Sequence, residues 1–353
     1  MVADVNTSSA GRRAIPENPA NNLAIAGIRL PVWNKILIAI LLVVAVIAPF
    51  FLEDFDVFQM TYALVFAMAI LGLNLLTGFN GQFSLGHSAF FGIGAYTTAM
   101  MMAHWEVAFY WTIIPAGIVC LVAGFLFGLP ALRLEGLYLA LATFALATAM
   151  PQILKYHAWE DLTGGVQGLD LDKPESPFPD TLSDDQYLYF IVLVVAIILF
   201  ICAWNLVRGR TGRAMIAIRD NPIAAQTMGV NNAVYKSLTF GVSALYTGIA
   251  GSMSAIIIQF VAPDSFTFLL AVTFLVGLVV GGVASIPGAI FGGFFVLLIP
   301  NISEAVADMT GRTDAKGLSW AVYGLFLIIT VYVMPSGAAG LVRLLVGKLA
   351  RRG

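Results

Sequence analysis

Long apolar runs recur along most of the chain, separated by short polar stretches. Each run has 17 to 24 residues and contains no Asp, Glu, Lys or Arg. A helix needs about 20 mostly apolar residues to cross the hydrocarbon core of a bilayer, and its backbone must be hydrogen-bonded within the segment. The pattern therefore predicts an all-α polytopic membrane protein of about ten crossings. The predicted spans are 36–52, 58–76, 85–102, 110–130, 137–154, 187–206, 237–259, 267–283, 287–303 and 319–342.

The third and ninth of these runs, 85–102 and 287–303, are short and rich in glycine. Glycine weakens a helix and is tolerated at membrane depth where the segment lies inside the protein. We therefore expect these two segments to be broken or re-entrant, which puts the number of crossings between eight and ten.

Charged residues are distributed unevenly once the spans alternate from a cytoplasmic N-terminus. Of the 18 basic residues 14 fall inside, whereas 16 of the 20 acidic residues fall outside. Cytoplasmic loops carry an excess of Lys and Arg. The division predicts that both termini are cytoplasmic and that the number of crossings is even. The inside basic residues are Arg12, Arg13, Arg29, Lys35, Arg133, Arg208, Arg210, Arg213, Arg219, Lys236, Arg343, Lys348, Arg351 and Arg352.

Composition agrees with a membrane protein. Hydrophobic residues make up 59% and charged residues 11% of the chain, against roughly 25% charged residues in soluble domains. The net charge of -2 predicts no nucleic-acid partner. Cys120 and Cys202 both lie in apolar runs, which favours buried small side chains over a disulfide framework.

The polar segments define the expected organisation. We predict a disordered cytoplasmic tail at 1–32, a transmembrane domain at 33–346 and a basic cytoplasmic tail at 347–353. Within the domain, an acidic outside loop covers 155–186 and a cytoplasmic loop covers 208–236. The outside loop is long for a structureless connection, so it is either a bare connector or a docking or gating element.

The cytoplasmic loop contains the sequence "RGRTGRAMIAIRDNPIAAQTMGV", residues 208–230. Asn221 is suited to cap a short helix that has Pro222 at its first position and Gly229 after its end. A helix of about seven residues is marginal alone and must pack on something. We expect Ala224, Ala225 and Met228 to lie near one face, flanked by the arginines. The alternative is a topology signal that only keeps the loop in the cytoplasm.

The glycine, arginine and alanine positions of this loop resemble the coupling loop of membrane subunits of bacterial branched-chain amino acid ABC importers. Further segments in the same order also resemble this family: "LNLLTGFNGQFSLGHSAFFGIGAY" (73–96), "GLYLALATFALA" (136–147), "TGGVQGL" (163–169), "GVSALYTGIAGSM" (241–253) and "GGVASIPGAIFGG" (281–293). One departure is Ala284, where relatives commonly have glycine.

The resemblance implies a type II-like ABC importer permease. Its partners would be a second homologous permease subunit, two cytoplasmic ATPases that bind ATP and Mg, and an extracytoplasmic substrate-binding protein; this chain itself would hold no cofactor. It would lie in the bacterial cytoplasmic (inner) membrane, surrounded by lipid. The residues expected to couple to the ATPases are Arg210, Arg213, Ala217, Arg219, Asp220, Asn221, Ala224, Ala225, Met228 and Gly229.

A second unusual stretch, from Asn74 to Ser88, is polar and rich in glycine although it begins in one predicted span, 58–76, and ends in the next, 85–102. Polar groups at membrane depth are costly unless they are satisfied. The stretch is therefore either part of the translocation path or its gate, or a site of close helix packing. Gly92 and Gly94 favour packing over a nucleotide loop, because no strand and helix context accompanies them. The candidate path residues are Asn74, Thr77, Asn80, Gln82, Ser84, His87 and Ser88.

Several functional classes are disfavoured by what the spans lack. No HExxH, GxSxG or intramembrane acidic pair indicates an enzyme, and no metal site is expected. Ion-coupled transporters usually carry ionisable groups at membrane depth, and these spans contain no carboxylate. No GxxxxGK[ST] occurs, so an ATP-driven role requires a separate ATPase. We predict a permease subunit for branched-chain or other neutral amino acids, with a permease for urea, amides or another small polar solute, or a passive channel, as alternatives.

Overall fold

The computed structural model describes residues 42–134, 136–177 and 182–308, together with eight separate positions between 324 and 340. The predicted tails 1–32 and 347–353 lie outside these residues, as do the start of the span 36–52 and most of the span 319–342. The chain forms two compact units, Met1–Ala45 and Val46–Gly353, and all the helices and strands with described bounds belong to the second.

The second unit is built almost entirely of helices. A π-helical turn, Asn74–Phe79, continues the first of them, and short 3-10 turns occur at Ala48–Phe50, His157–Trp159 and Pro263–Phe266. Two short strands pair antiparallel, β1 (Leu169–Asp170) and β2 (Phe260–Val261). The helices are α1 (Asp54–Leu73), α2 (His87–Trp105), α3 (Phe109–Ala131), α4 (Leu137–Leu154), α5 (Glu160–Thr163), α6 (Asp184–Arg208), α7 (Arg210–Asp220), α8 (Pro222–Thr227), α9 (Asn232–Ile258), α10 (Phe268–Gly281) and α11 (Ile286–Asp308).

Five helices within the described residues are long and apolar enough to cross a membrane: α1 with its π-helical turn, α3, α4, α6 and α9. The helix α10 and the apolar part of α11 are shorter. The expectation that 85–102 and 287–303 are broken is wrong, because α2 and α11 are continuous helices. The interruption lies before α2 instead, where the backbone between Phe79 and His87 leaves the helical conformation.

The helices α1 and α9 form the centre of the fold. In their apolar stretches 89% and 78% of the residues are buried, against about a third or less in α3, α4 and α6. The outward faces of α3 and α6 carry large apolar side chains such as Trp111, Leu126 and Ile198, each more than half exposed. An apolar surface this extensive is stable against lipid rather than water, so α3, α4 and α6 form the periphery.

Close helix contacts depend on glycine, as the sequence predicted. A Cβ atom added to Gly94 of α2 would collide with the backbone of Gly248 in α9, and one added to Gly251 would collide with the carbonyl of Phe91. In the same way Gly293 of α11 lies against the backbone of Ala63 and Ala67 in α1. Small residues allow helices in membranes to approach this closely, so the packing interpretation of Gly94 is confirmed.

The loops gather at two ends of the bundle. We call them the arginine-rich end and the acidic end. Hydrogen bonds link Gly78 to Arg219 and Gln82 to Lys236 at the first, while Asp54 bonds Ser183 at the second. The predicted alternation of spans puts these same segments on common sides. The arginine-rich end comprises 78–82, 131–134, 209–236 and 282–286; the acidic end comprises 53–56, 104–108, 155–177, 182–186 and 259–267.

The loop between α4 and α6, which the sequence left as either a bare connector or a docking element, is folded onto the acidic end. It contains α5 and β1, and its strand pairs with the segment that follows α9. Lys155 forms an ion pair with Asp264, and Nε2 of His104 lies 2.9 Å from the carbonyl oxygen of Asp161. The described part of this loop is therefore ordered by contacts with three other segments.

Candidate functional site

The loop 208–236 forms two consecutive helices, α7 and α8, separated by a single residue. That residue, Asn221, has extended backbone angles, and its side chain accepts hydrogen bonds from the backbone N–H groups of Ile223 and Ala224 at 3.1 and 3.0 Å. This is the N-cap arrangement, which satisfies backbone donors that a helix start leaves free. The predicted cap, with Pro222 at the first helical position, is confirmed.

The end of α8 also forms as predicted. Gly229 has a φ of 86°, in the left-handed region that favours glycine. The N–H of Val230 then donates to the carbonyl of Ala225 at 3.0 Å, which closes the helix. The side chain of Asn232 donates to the carbonyl of Pro222 at 2.7 Å and ties α8 to the start of α9. A six-residue helix is thus held rigidly by its cap, its closing turn and its neighbour.

The outward face of α8 differs from the predicted one. Ala225 is only 5% exposed and points into the fold, so it does not share a free face with Ala224 and Met228. Met228 is 85% exposed and Ile223 is 75% exposed. The expectation that Ala225 lies on the docking face is therefore corrected, because consecutive residues of a helix point about 100° apart. The exposed apolar side chain within α8 is Ile223 instead of Ala225.

The arginines of the loop divide into two groups. Arg210 and Arg213 are exposed on α7, and Ala217 is exposed on the same helix. Arg219 instead turns towards the fold: its Nη1 donates to the carbonyl of Gly78 at 3.0 Å, and its Nη2 lies 3.0 Å from the Asp220 carboxylate. The positive flank that the sequence predicted is thus formed by Arg210 and Arg213, whereas Arg219 joins the loop to the end of α1.

A groove of about 650 Å³ lies beside α8. Its wall combines one side of α8 and its closing turn with the start of α9 and one residue from the end of α3. The arrangement offers two exposed apolar side chains, Ile223 of α8 and Met228 at its C-cap, and a concave surface beside α8. The lining residues are Leu132, Pro222, Ile223, Gln226, Gly229, Val230, Asn231, Asn232, Ala233 and Lys236.

The polar run that begins at Asn74 lies where α1 passes into the π-helical turn. The Asn74 side chain is fully buried; its Nδ2 donates to the carbonyl of Ser285 at 2.8 Å, and its Oδ1 accepts from the N–H of Ala284 at 2.9 Å. One amide thereby satisfies two backbone groups of the turn between α10 and α11. Ala284 has a φ of 57°, which gives a physical reason for the glycine that relatives commonly carry there.

His87 lies at the start of α2 in a chain of hydrogen bonds. The hydroxyl of Ser243 donates to the carbonyl of Gly72 at 2.6 Å, so its oxygen accepts from Nε2–H of His87 at 2.7 Å. This leaves Nδ1 to accept from the hydroxyl of Ser84 at 3.1 Å. A neutral imidazole with the proton on Nε2 satisfies all three groups. The chain ties α1, α2 and α9 together.

The remaining members of the run have varied environments. Gln82 donates to the carbonyl of Lys236 at 3.2 Å, and Thr77 donates to the carbonyl of Gln82 at 3.0 Å. Asn80 and Ser88 are also buried, but their side chains have no hydrogen-bond partner among the described residues. All seven candidates lie in one contiguous region. In this conformation Asn74, Gln82, Ser84 and His87 hold neighbouring elements together, as the packing interpretation expects.

Taken together, the long apolar helices and the capped polar loop define an integral membrane protein with an exposed, capped helix at one end. A family model for the branched-chain amino acid transport system permease component matches residues 57–331. The chain belongs to this permease family.

Individual relatives agree with this assignment. The LivM permease protein of the high-affinity branched-chain amino acid transport system from Salmonella typhimurium is 32% identical over 322 residues, which cover 83% of this chain and 75% of the relative. LivH of the same system in Escherichia coli is 23% identical over 79% of this chain and 92% of its own length. Among solved structures, PsaBC from Streptococcus pneumoniae in complex with Fab covers 79% of this chain and 91% of that chain with a TM-score of 0.41 and 14% identity.

Sequence reasoning missed three residues of these sites and the direction of a fourth. Ser243 and Ser285 lie more than 150 residues from their partners His87 and Asn74, and nothing in the local pattern links them. Ile223 and the inward direction of Arg219 could have been found from the 100° step between helical residues. On a helical projection, Arg219 lies on a different side of its helix from Arg213, and Ile223 lies on a different side from Ala225.

Proposed function

We propose that this chain is one of two related permease subunits that together form the translocation path of an ABC importer for branched-chain or other neutral amino acids. Membership of the permease family supports the transport role. Two cytoplasmic ATPases would bind ATP and Mg and drive the cycle, and an extracytoplasmic binding protein would deliver the substrate. The chain itself would catalyse no covalent chemistry.

The observation that carries the proposal is the exposed face of α8. Ile223 of α8 and Met228 at its C-cap are largely uncovered although the helix is capped and tightly closed. Burying two such side chains stabilises a contact by about 3 to 6 kcal/mol before the costs of association. A rigid helix that exposes two apolar side chains, on the same loop as the exposed Arg210 and Arg213, is suited to enter a groove with an acidic rim. We propose the ATPase as the partner.

The orientation in the inner membrane of a bacterium follows from the same assignment. The arginine-rich end would face the cytoplasm, where an excess of Lys and Arg is usual, and the acidic end would face outwards. The folded loop between α4 and α6 would then be accessible to the binding protein. Its contacts with Asp264 and with β2 would give such a partner a preformed surface.

Copurification tests the docking proposal. Replacing Ile223 or Met228 with Asp should weaken retention of the ATPases about tenfold or more, because a charge would be buried in an apolar contact. The matched control is Val166→Asp at the acidic end, since Val166 is also an exposed apolar side chain, at 65%. It should leave ATPase retention unchanged. Undiminished retention in both α8 variants would mean that the loop is only a topology signal.

Uptake in proteoliposomes tests the substrate class. The reconstituted complex with its binding protein should take up leucine, isoleucine or valine only when ATP is present on the α8 side. Uptake of urea or an amide in preference to these amino acids would show that the proposed substrate class is wrong. Uptake without ATP would favour a passive channel.

A further inference from the structure

The inward contact of Arg219 joins the docking loop to the membrane part of the fold. Its Nη1 bonds the carbonyl of Gly78, and a Cβ atom on Gly81 would lie 2.8 Å from its Cγ. The side chain is 28% exposed, so it is held between the loop and the fold rather than extended into water. Gly81 has a φ of 76°, which lets the backbone bend beneath the arginine.

The segment that Arg219 holds is an irregular continuation of α1. Residues 74–82, which we call the junction, comprise the π-helical turn Asn74–Phe79 and the three residues after it. A π-helical turn is a rare and less stable arrangement that occurs frequently at functional sites. A Cβ atom on Gly78 would meet the backbone nitrogen of Ala284 at 2.6 Å. The junction is therefore packed against the turn 282–285 at the place where Arg219 holds it.

The other end of the junction is bonded to that same turn. Both polar atoms of Asn74 bond it, through Ala284 N–H and the Ser285 carbonyl. Three elements are thus connected in series by direct contacts: α7, the junction, and the turn between α10 and α11. Each connection is a hydrogen bond between a side chain and a backbone group of another element. The helix α7 and the turn are therefore linked through two residues, Arg219 and Asn74.

Two features of this series raise the energy of the observed conformation. Asn80 is 2% exposed, and neither polar atom of its amide has a partner among the described residues; such a group costs about 1 to 3 kcal/mol. Ala284 adopts a left-handed conformation, which costs a non-glycine residue about 1 to 2 kcal/mol. A rearrangement of the junction that gives Asn80 a partner and lets Ala284 relax would relieve these two local costs.

We propose that Arg219 and Asn74 are positioning residues that transmit movement of the α7–α8 loop through the junction to the turn 282–285, and so link ATP hydrolysis to opening of the path. This proposal rests on the proposed function, because it needs the ATPase to move the loop. It differs from the docking proposal in that the contacts of both residues are with the membrane part of the fold and not with the exposed side of α8. Loss of either should separate hydrolysis from transport while the complex remains assembled.

The test measures two rates in the reconstituted complex: ATP hydrolysis and leucine uptake. In Arg219→Ala and in Asn74→Leu, the number of substrate molecules moved per ATP should fall about tenfold, within the range for coupling residues that touch no ligand. The ATPases should copurify at the wild-type level. Matched controls are Arg133→Ala, an exposed arginine of the same end, and Thr273→Val, whose hydroxyl bonds only Leu269 of its own helix. Neither should change the ratio.

Combining the two substitutions tests whether the residues act in series. If they do, the double variant should be no worse than the stronger single one, since both connections carry the same displacement. Arg219→Lys keeps the charge and one donor for Gly78, so its ratio should lie between those of wild type and Arg219→Ala. This variant also provides the measurement if Arg219→Ala does not accumulate.

Three results would overturn the inference. The first is an unchanged number of substrate molecules moved per ATP in Asn74→Leu and in both Arg219 variants. The second is a double variant in which the two losses multiply. The third is a loss of ATPase retention in proportion to the loss of transport. The last result would make Arg219 a docking residue. Failure of the proposed function itself would be visible separately, as a wild-type complex that retains no ATPase or takes up no leucine with ATP.

Discussion

At the scale of single residues, backbone conformation explains several sequence choices that hydrophobicity does not. Asn221 is a cap whose side chain bonds two backbone groups, and Gly229 is a closing residue at positive φ. Both could be predicted from sequence, because capping and closing use local contacts. Ala284 could be noticed only as a departure from the family pattern, since its φ is set by packing between the junction and α11.

Replacing Ala284 with Gly is expected to stabilise the protein. Its φ of 57° is unfavourable for alanine, so the glycine variant should be more stable by about 1 kcal/mol. Thermal unfolding of the purified protein in nanodiscs measures this as a rise in Tm. The control is Ala289→Gly inside α11, where glycine should destabilise by about 1 kcal/mol. A fall in Tm for both variants would contradict the conformational explanation.

At the scale of elements, the sequence predicted where helices lie better than what each helix contacts. The apolar runs predicted α3, α4, α6 and α9 to within a few residues at each end, because length and apolarity are enough for this. They did not distinguish central from peripheral helices. That division depends on glycine contacts and on hydrogen bonds between distant residues, such as His87 with Ser243, which no local pattern encodes.

The contact between α2 and α9 should be the least tolerant of added volume. Gly94→Val places atoms on the Gly248 backbone, and separating the helices to make room should cost about 3 kcal/mol or more, at or beyond the usual range for overpacking. We expect little folded protein after detergent extraction, measured by fluorescence-detected size-exclusion chromatography. The control is Ala145→Val on the exposed side of α4, which should give the wild-type profile. Equal yields of the two variants would mean that the close approach is not required.

At the scale of the whole molecule, the structure brings together the loops that charge alone had assigned to each side. Residues of the arginine-rich end bond one another through Arg219, Gln82 and Asn74, and those of the acidic end through Asp54, Lys155 and β1. If an odd number of spans had been misplaced among the described helices, loops assigned to one side would lie at both ends of the structure. The grouping of these loops at two ends was therefore predictable, whereas most of the tenth span lies outside the described residues.

Labelling of introduced cysteines tests which end faces the cytoplasm. Asp172 and Thr227 are exposed at opposite ends, so Asp172→Cys should react with an impermeant maleimide added to intact cells and Thr227→Cys only after the cells are opened. The exposed native thiol Cys202 is replaced by Ser in both variants, and Cys120 is buried. Reaction of Thr227→Cys in intact cells would reverse the orientation.

The contrast between central and peripheral helices also bears on how the protein is made. A helix leaves the insertion machinery for lipid when its own sequence is apolar enough. The helix α6, with its unbroken run of aliphatic residues, meets this condition without help from neighbouring helices. The central helix α9 carries Ser237, Ser243, Thr247 and Ser252, all buried against neighbours in the finished fold. During synthesis it follows α1 and α2, which supply the partners of Ser243 and Ser252. The order of helices along the chain thus gives the most polar span a partly built protein to enter instead of bare lipid.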